Sequence, residues 1–175
     1  MNRRNFVRTS VVAGGAALTG LPETLACSMT PPASFTLRYA PHFGMFKNQA
    51  GDDLVAQLEY AAEQGFRAWE DNNMRTRPVE EQDRIAQAMT RLGMQMGVFV
   101  AHSIPWGEPK LTGGNADHRA AFLQEIEESV EVAQRVNATW MTVVPGHLDL
   151  RQDRGYQTAN LVESLRRAAD VLEPH

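Results

Sequence analysis

Apolar runs and amphipathic stretches alternate along the chain, and they do so four times. Each unit is a short apolar strand ending in a polar residue or turn, followed by a helix with one apolar face. The joints repeat: Glu63-Gln-Gly65-Phe-Arg-Ala-Trp-Glu70, Arg91-Leu-Gly93-Met-Gln-Met-Gly-Val-Phe-Val-Ala-His102, and Arg135-Val-Asn137-Ala-Thr-Trp-Met-Thr-Val-Val144. At each joint a helix stops at Gly or Asn, the residues that tolerate a left-handed backbone, and a strand begins at once. Strand starts near Phe35, Phe66, Met94 and Thr139 are roughly 30 residues apart, with one longer spacing that holds an inserted loop. This is the rhythm of βα units in a parallel sheet. Eight such units close a barrel; four are present, so the expectation is an α/β fold, the first half of a (β/α)8 TIM barrel.

The units are predicted as follows. Strand Phe35–Ala40 leads through Pro41-His42-Phe43-Gly44 to a helix from about Asp52, with Leu54, Val55, Leu58 and Ala61 on one face. Strand Phe66–Glu70 leads through Asp71-Asn72-Asn73 to a helix opened by Pro78, with Glu80 and Glu81 in its first turn, where the helix dipole favours carboxylates. Strand Met94–Ala101 ends at His102, and a polar loop with Gly107, Gly113 and Gly114 precedes the longest helix, about Asp117–Val136. Strand Thr139–Val144 leads through Pro145-Gly146-His147-Leu148-Asp149 to a helix over about Thr158–Leu172, with Leu161, Leu165, Ala168 and Leu172 on one face.

Residues 1–27 are of another kind. Arg3-Arg4, an apolar residue two positions on and Arg8 resemble the bacterial twin-arginine export signal, and Val11–Leu21 is a mild apolar stretch too short to span a bilayer. The domain layout is therefore an export signal over 1–27, a linker over 28–34 containing Pro31-Pro32, and the half barrel over 35–175. The expected destination is the periplasm or beyond. A cut after Thr24-Leu25-Ala26 would leave Cys27 as the first residue. Membrane attachment is expected only if Cys27 is lipidated, and Leu25 stands one place from the usual lipobox position. Cys27 is the only cysteine, so no intramolecular disulfide can form.

Charge narrows the partners. Removing Arg3, Arg4, Arg8 and Glu23 from 17 basic and 21 acidic residues leaves 14 against 20, a formal charge of −6 with His neutral. A body this acidic lacks the clustered Lys and Arg that track nucleic acid, so no nucleic-acid partner is expected.

In a βα barrel the chemistry lies at the carboxyl ends of the strands. Four ionisable groups fall there: His42, Glu70, His102 and His147. Each taken alone also reads as an ordinary loop residue, and Glu70 as a carboxylate satisfied by amides of its own turn. Asp71 and Asp149 read as turn formers. His118 is expected at an exposed helix start, and Trp69, Trp106 and Trp140 in core or loop packing.

The stretches Leu37-Arg-Tyr-Ala-Pro-His-Phe-Gly-Met-Phe46, Ala61-Ala-Glu-Gln-Gly-Phe-Arg-Ala-Trp-Glu70, Val98-Phe-Val-Ala-His-Ser-Ile-Pro105 and Leu161–Leu172 resemble hydroxypyruvate isomerase and the wider xylose-isomerase-like family of sugar isomerases and epimerases. The resemblance implies interconversion of an aldehyde and a ketone through an enediolate on a small hydroxy-carbonyl or sugar substrate. It also implies a divalent ion (Mg, Mn or Zn) held by Glu, Asp and His. Those ligands belong to the fifth to eighth strands of the family, so no metal ligand or catalytic carboxylate is assigned here. Glu173-Pro174 imitates the family's fifth-strand Glu-Pro pair but follows the fourth helix with no strand between. By position, His42, Glu70, His102 and His147 are substrate-binding groups of the first half, and His102 matches the family's third-strand His best. As an incomplete barrel the chain is expected to be inactive alone. The alternative is a non-catalytic half barrel that pairs with a second copy and binds a small sugar acid or polyol. Metal-dependent DNA-repair endonucleases share the barrel, but the acidic body argues against them.

Overall fold

Helix starts are set by short polar side chains that meet the unpaired first-turn amides. The computed structural model describes residues 35–175; the segments expected as an export signal and a linker, with Cys27, lie outside the described residues. Asp53, not Asp52, caps α2 (Leu54–Glu63), its Oδ1 accepting from the Ala56 N–H at 2.9 Å. Asp52 instead pairs with Lys47 at 2.7 Å beside a short helix not foreseen in the pattern, α1 (Lys47–Ala50). Pro78 precedes α3 (Val79–Arg91), with Glu80 and Glu81 in its first turn. Asn115 caps α4 (Ala116–Val136), accepting from the amides of Asp117 and His118. Asp153 caps α5 (Arg154–Leu172) through the Tyr156 N–H at 2.8 Å, so this helix begins a turn earlier than its apolar stripe suggests. Asn137 ends α4 in the left-handed conformation, φ 51° and ψ 45°, with its N–H on Ala133 and Gln134 carbonyls. Glu173 is the C-cap of α5, a helix end with no strand before it.

The strands are short: β1 (Ala68–Trp69), β2 (Gln95–Met96), β3 (Val98–Val100) and β4 (Trp140–Thr142). All pairs are parallel. Ala68 and Trp69 face Gln95 and Met96; Val98, Phe99 and Val100 face Trp140, Met141 and Thr142. β2 and β3 are two halves of one extended segment interrupted at Gly97, so the second, third and fourth units lie side by side in chain order. The first unit joins through a single parallel bridge, His42 to Glu70, with the Glu70 N–H donating to Pro41 O at 2.9 Å. The strand expected over Phe35–Ala40 is absent; those residues are bent or irregular. They have a sheet neighbour on one side only among the described residues, and a one-sided ladder holds little beyond its last rung.

Two apolar clusters fill the layer between sheet and helices. The first joins Leu58, Ala61, Trp69, Ile85, Met89 and Phe99 under α2, α3 and the end of α4. The second joins Ala101, Leu111, Phe122, Ile126 and Ala168 between α4 and α5. Side chains such as Phe99, Ile126 and Leu58 are fully buried, each stabilising the fold by about 1.5–3 kcal/mol. One expected core position departs. Leu165 is exposed, because α5 turns Gln157, Ser164 and Ala168 inward instead of the centre of its leucine stripe. Ser164, on that inward face, accepts from the Arg119 Nε–H of α4 at 3.1 Å. Trp140 and Trp106 are also exposed rather than packed; only Trp69 is core.

The left-handed Asn137 supplies a test. Asn137→Gly is expected to stabilise the chain slightly and Asn137→Ala to destabilise it by about 1 kcal/mol, read as urea-unfolding midpoints. Equal midpoints for the two variants would show that the cap conformation carries no cost.

Candidate functional site at the carboxyl ends of the strands

Backbone hydrogen bonds deviate from an even ladder at two places, both at the rim. Gly97 N–H donates to Trp69 O at 2.7 Å, but Asp71 N–H reaches Val98 O at 3.2 Å, one residue further than an even parallel ladder would take it. The third strand therefore carries a bulge at Gly97, a device common at barrel rims. A side chain there has no room: a Cβ on Gly97 would lie 3.2 Å from Trp69 O and 3.4 Å from Ala40 Cβ.

The second deviation lies between the third and fourth strands. Ala101 N–H donates to Thr142 O at 3.0 Å, and in an even ladder Val144 N–H would next donate to Ala101 O. Two side chains replace that rung. Ser129 Oγ of α4 donates to Ala101 O at 2.7 Å, and His102 Nε2 accepts from Val144 N–H at 3.1 Å. Because Nε2 accepts, Nδ1 carries the proton, and it lies 3.1 Å from Ser103 O. The ring stands edge-on to Phe122, with centroids 5.2 Å apart. Burial pushes the His102 pKa below its ordinary value. The Ser103 carbonyl and the Glu125 charge act the other way, and Arg75 reinforces the lowering.

Charged groups lock the neighbouring turns. Glu125 accepts from both Ser103 N–H and Ser103 Oγ–H at 2.7 Å, and Arg75 donates to Ser103 Oγ at 2.9 Å. Asp71, a turn former as expected through the Asn73 N–H, is also buried against Arg77. Arg77 reaches Glu81 at 2.9 Å and lies 5.0 Å over the Phe43 ring. Burial opposes the Arg77 charge, but Asp71 and Glu81 outweigh it and hold its pKa above the usual value.

A recurrent contact escaped the sequence reading. The fourth residue of α2, α3 and α5 is a buried glutamine in each case: Gln57, Gln82 and Gln157. Each clamps backbone of the loop before its helix. Gln57 accepts from Gly44 N–H at 2.8 Å and donates to Gly51 O at 2.9 Å. Gln82 donates to Met74 O and Arg77 O and accepts from Arg135. Gln157 accepts from Asp149 N–H and donates to Asp149 O and Gln152 O. The available signal was a Gln at one fixed distance from three helix starts. In α4 the same position holds Arg119, and the long loop before that helix is tied instead by Thr112 Oγ1 donating to His147 O and by Asn160 Nδ2 donating to Thr112 O.

The four expected site residues are not equivalent. His42 and Glu70 share a rung on adjacent strands, which puts both side chains on the same face of the sheet. His42 is exposed, with Nδ1 3.0 Å from Phe43 O, and Glu70 is half-buried. His102 is buried, and the main chain occupies both of its ring nitrogens. His147 is exposed on the loop after β4, held through its carbonyl. The structure thus brings His42 and Glu70 together and sets His102 and His147 apart. A pocket of about 130 Å³, lined by His102, Ser103, Lys110, His118, Phe122 and Glu125, lies between the third loop and α4. Among the described residues no three His, Cys, Asp or Glu side chains converge to hold a metal ion, so the donor set of a divalent site does not fit here.

Residues 58–175 match the family model described as xylose isomerase-like TIM barrel. No curated protein matches the chain. Among solved structures, AP endonuclease family 2 from Brucella melitensis superposes with a TM-score of 0.59 at 20% identity, covering 79% of this chain and 52% of that one. The chain spans about half the length of that solved relative, and identity this low speaks for the fold alone.

Two outcomes follow from the rim. His102 favours the neutral form in the folded state, so its contribution is fully present above the unfolded value of 6.5 and is lost as pH falls toward the lower folded pKa. Stability should decline with acid in that window, and His102→Asn should flatten the profile there; an unchanged slope would refute the assignment. Gln57→Leu and Gln157→Leu leave buried loop groups unpaired and should each cost about 1–3 kcal/mol. Hydrogen exchange should quicken first at Gly44 N–H in the one and at Asp149 N–H in the other.

Proposed function

Because the chain belongs to the xylose isomerase-like TIM barrel family, we propose that it is the first half of a sugar or hydroxy-carbonyl isomerase of the hydroxypyruvate isomerase type. The reaction moves a proton between adjacent carbons through an enediolate. It requires a base within reach of the C–H bond and positive charge beside the developing oxyanion. The observation that carries the reading is the pair His42 and Glu70, polar side chains on the single bridge that joins the first unit to the carboxyl end of β1. His42 Nε2 makes no hydrogen bond among the described residues, and the Glu70 carboxylate is only half-buried. Together they offer a donor or acceptor and an anionic acceptor to the hydroxyls of a small polyol or hydroxy acid. His102, with both nitrogens committed to backbone, is a positioning residue that sets the separation of the third and fourth strand ends. His147 is a rim group with no assigned partner for its ring.

The family's divalent ion has no donor set among the described residues, so no step is derived through it. The proton-transfer groups are expected from the four units that complete the barrel. An endonuclease reading, suggested by the name of the solved relative, meets the acid excess of residues 35–175, where 14 basic side chains face 20 acidic ones; such a surface repels a phosphate backbone.

The test compares two preparations. Given hydroxypyruvate with Mg, Mn or Zn in turn, the 175-residue chain is expected to form no tartronate semialdehyde. The same chain fused to the last four units of a family relative is expected to form it, and His42→Ala or Glu70→Gln in that fusion should raise KM by about tenfold, the scale of one lost polar contact. A folded, metal-loaded fusion that leaves hydroxypyruvate and a panel of ketoses unchanged would sink the isomerase reading.

A further inference from the structure

The last link between the third and fourth strand ends runs through one imidazole nitrogen. His102 Nε2 accepts from the Val144 N–H at 3.1 Å, and the residue is only 4% exposed. An imidazole accepts only through its unprotonated nitrogen; the imidazolium has a donor at both positions. A proton on Nε2 therefore sets two N–H groups against each other. The ladder holds no ready substitute, because Ser129 Oγ of α4 already donates to the Ala101 carbonyl that an even ladder would use.

The two sides of this link are not held alike. On the third-strand side, Nδ1 lies 3.1 Å from Ser103 O, a contact that an imidazolium keeps. Ser103 is itself tied by Glu125 at its N–H and its hydroxyl, and by Arg75 at its hydroxyl. On the fourth-strand side, Pro145 follows Val144 and has no N–H to give. The next hydrogen bonds along the chain among the described residues are Thr112 Oγ1 on His147 O and Gln157 on Asp149. Loss of the Val144 bond thus loosens Val144–Gly146 and leaves Ser103 anchored.

We propose that His102 is an acid-operated latch: a second proton on its ring breaks the Val144 rung and lets the start of the fourth loop, which carries His147, move away from the third. The groups around the ring set when this happens. Burial favours the neutral ring. Ser103 O and the Glu125 carboxylate of α4 favour the charged one, and Arg75, on the turn Met74–Thr76, opposes it. Lys110 of the third loop and His118 of α4 line the same small pocket as the ring, and their positive charge also opposes an imidazolium. The latched state therefore prefers the neutral ring, whereas a released ring takes up a proton near the ordinary value of 6.5. Between that value and the lower latched one, acid shifts the balance toward release by up to about tenfold per pH unit. The release is local and goes beyond the acid dependence of overall stability. It does not rest on the isomerase reading, because it is measured without substrate.

Nuclear magnetic resonance of the 175-residue chain from neutral to mildly acidic pH tests the latch. The nitrogen shifts of the His102 ring report its proton. The exchange protection of two amides reports the link: Val144, on the ring, and Ala101, on Thr142 O at 3.0 Å one rung below. Val144 protection is expected to fall by up to about tenfold per pH unit as the ring titrates, while Ala101 keeps its own. His102→Gln puts an amide oxygen near the place of Nε2 with no titrating group, so Val144 protection in that variant should not change with pH. Protection of Val144 that survives titration of the ring overturns the proposal. So does loss of Val144 and Ala101 protection together, a ring that stays neutral until the whole chain unfolds, or an acid loss that persists in His102→Gln. If His102→Gln does not fold, the comparison of Val144 with Ala101 in the wild-type chain decides.

Discussion

The rim of this half barrel depends on how the third strand divides its hydrogen bonds. One extended segment, Gln95 to Val100, serves the second unit with its first half and the fourth unit with its second. An even strand would offer both neighbours the same phase. Gly97 breaks the phase by one residue, which lets Met96 and Phe99 both face the helices three residues apart. Without that bulge, alternation would turn one of the two toward the inner face of the sheet. The close approach of Trp69 O and Ala40 Cβ then explains why the position carries no side chain.

Above the bulge, side chains take over from backbone. The rung that should join Ala101 O to Val144 N–H is split between Ser129 and His102. The strand ends stay linked but are spaced by an imidazole and a hydroxyl. Strand ends spaced in this way can carry loops rather than more sheet. The loops are in turn held by buried amides, one glutamine to a loop in three units, and by the Glu125–Ser103–Arg75 contacts in the other. A rim built like this separates two duties. Gln57, Gln82, Gln157 and His102 hold backbone in place, whereas the His42 ring is exposed and the Glu70 side chain half-buried at their shared bridge.

The same geometry accounts for the exposed apolar edges. Apolar groups that pack helices against a sheet are hidden whether or not the ring closes, which is why Trp69, Phe99 and Ile126 are fully buried. Trp140, on β4, has no strand on its far side among the described residues and is exposed. The family match over residues 58–175 and the half-length overlap with a solved relative describe the same fact from outside the chain: four units of a fold whose geometry is satisfied by eight.

Much of this was legible in the sequence, for physical reasons that act locally. The glycine and asparagine stops, the helix faces of α2, α3 and α4, the acidic first turn of α3 and the order of the four units follow from periodicity and backbone preference. A reader of the chain alone can therefore name the fold. The strand over Phe35–Ala40 was not decided locally, because a strand exists only where a neighbour supplies rungs. The exposure of Trp140, on a strand with a neighbour on one side only among the described residues, and the turn of α5 that puts Ser164 rather than Leu165 inward were both decided by tertiary contacts. His102 shows the division most plainly. Its place after an apolar run marked it as a rim group, which it is. Its ring nitrogens, however, are committed to amide and carbonyl groups of Val144 and Ser103, and Val144 lies 42 positions along the chain. Local sequence chose the residue types and the turns; only the tertiary structure, by bringing distant backbone within hydrogen-bond reach, decided which polar side chains support the rim and which are free to face a ligand.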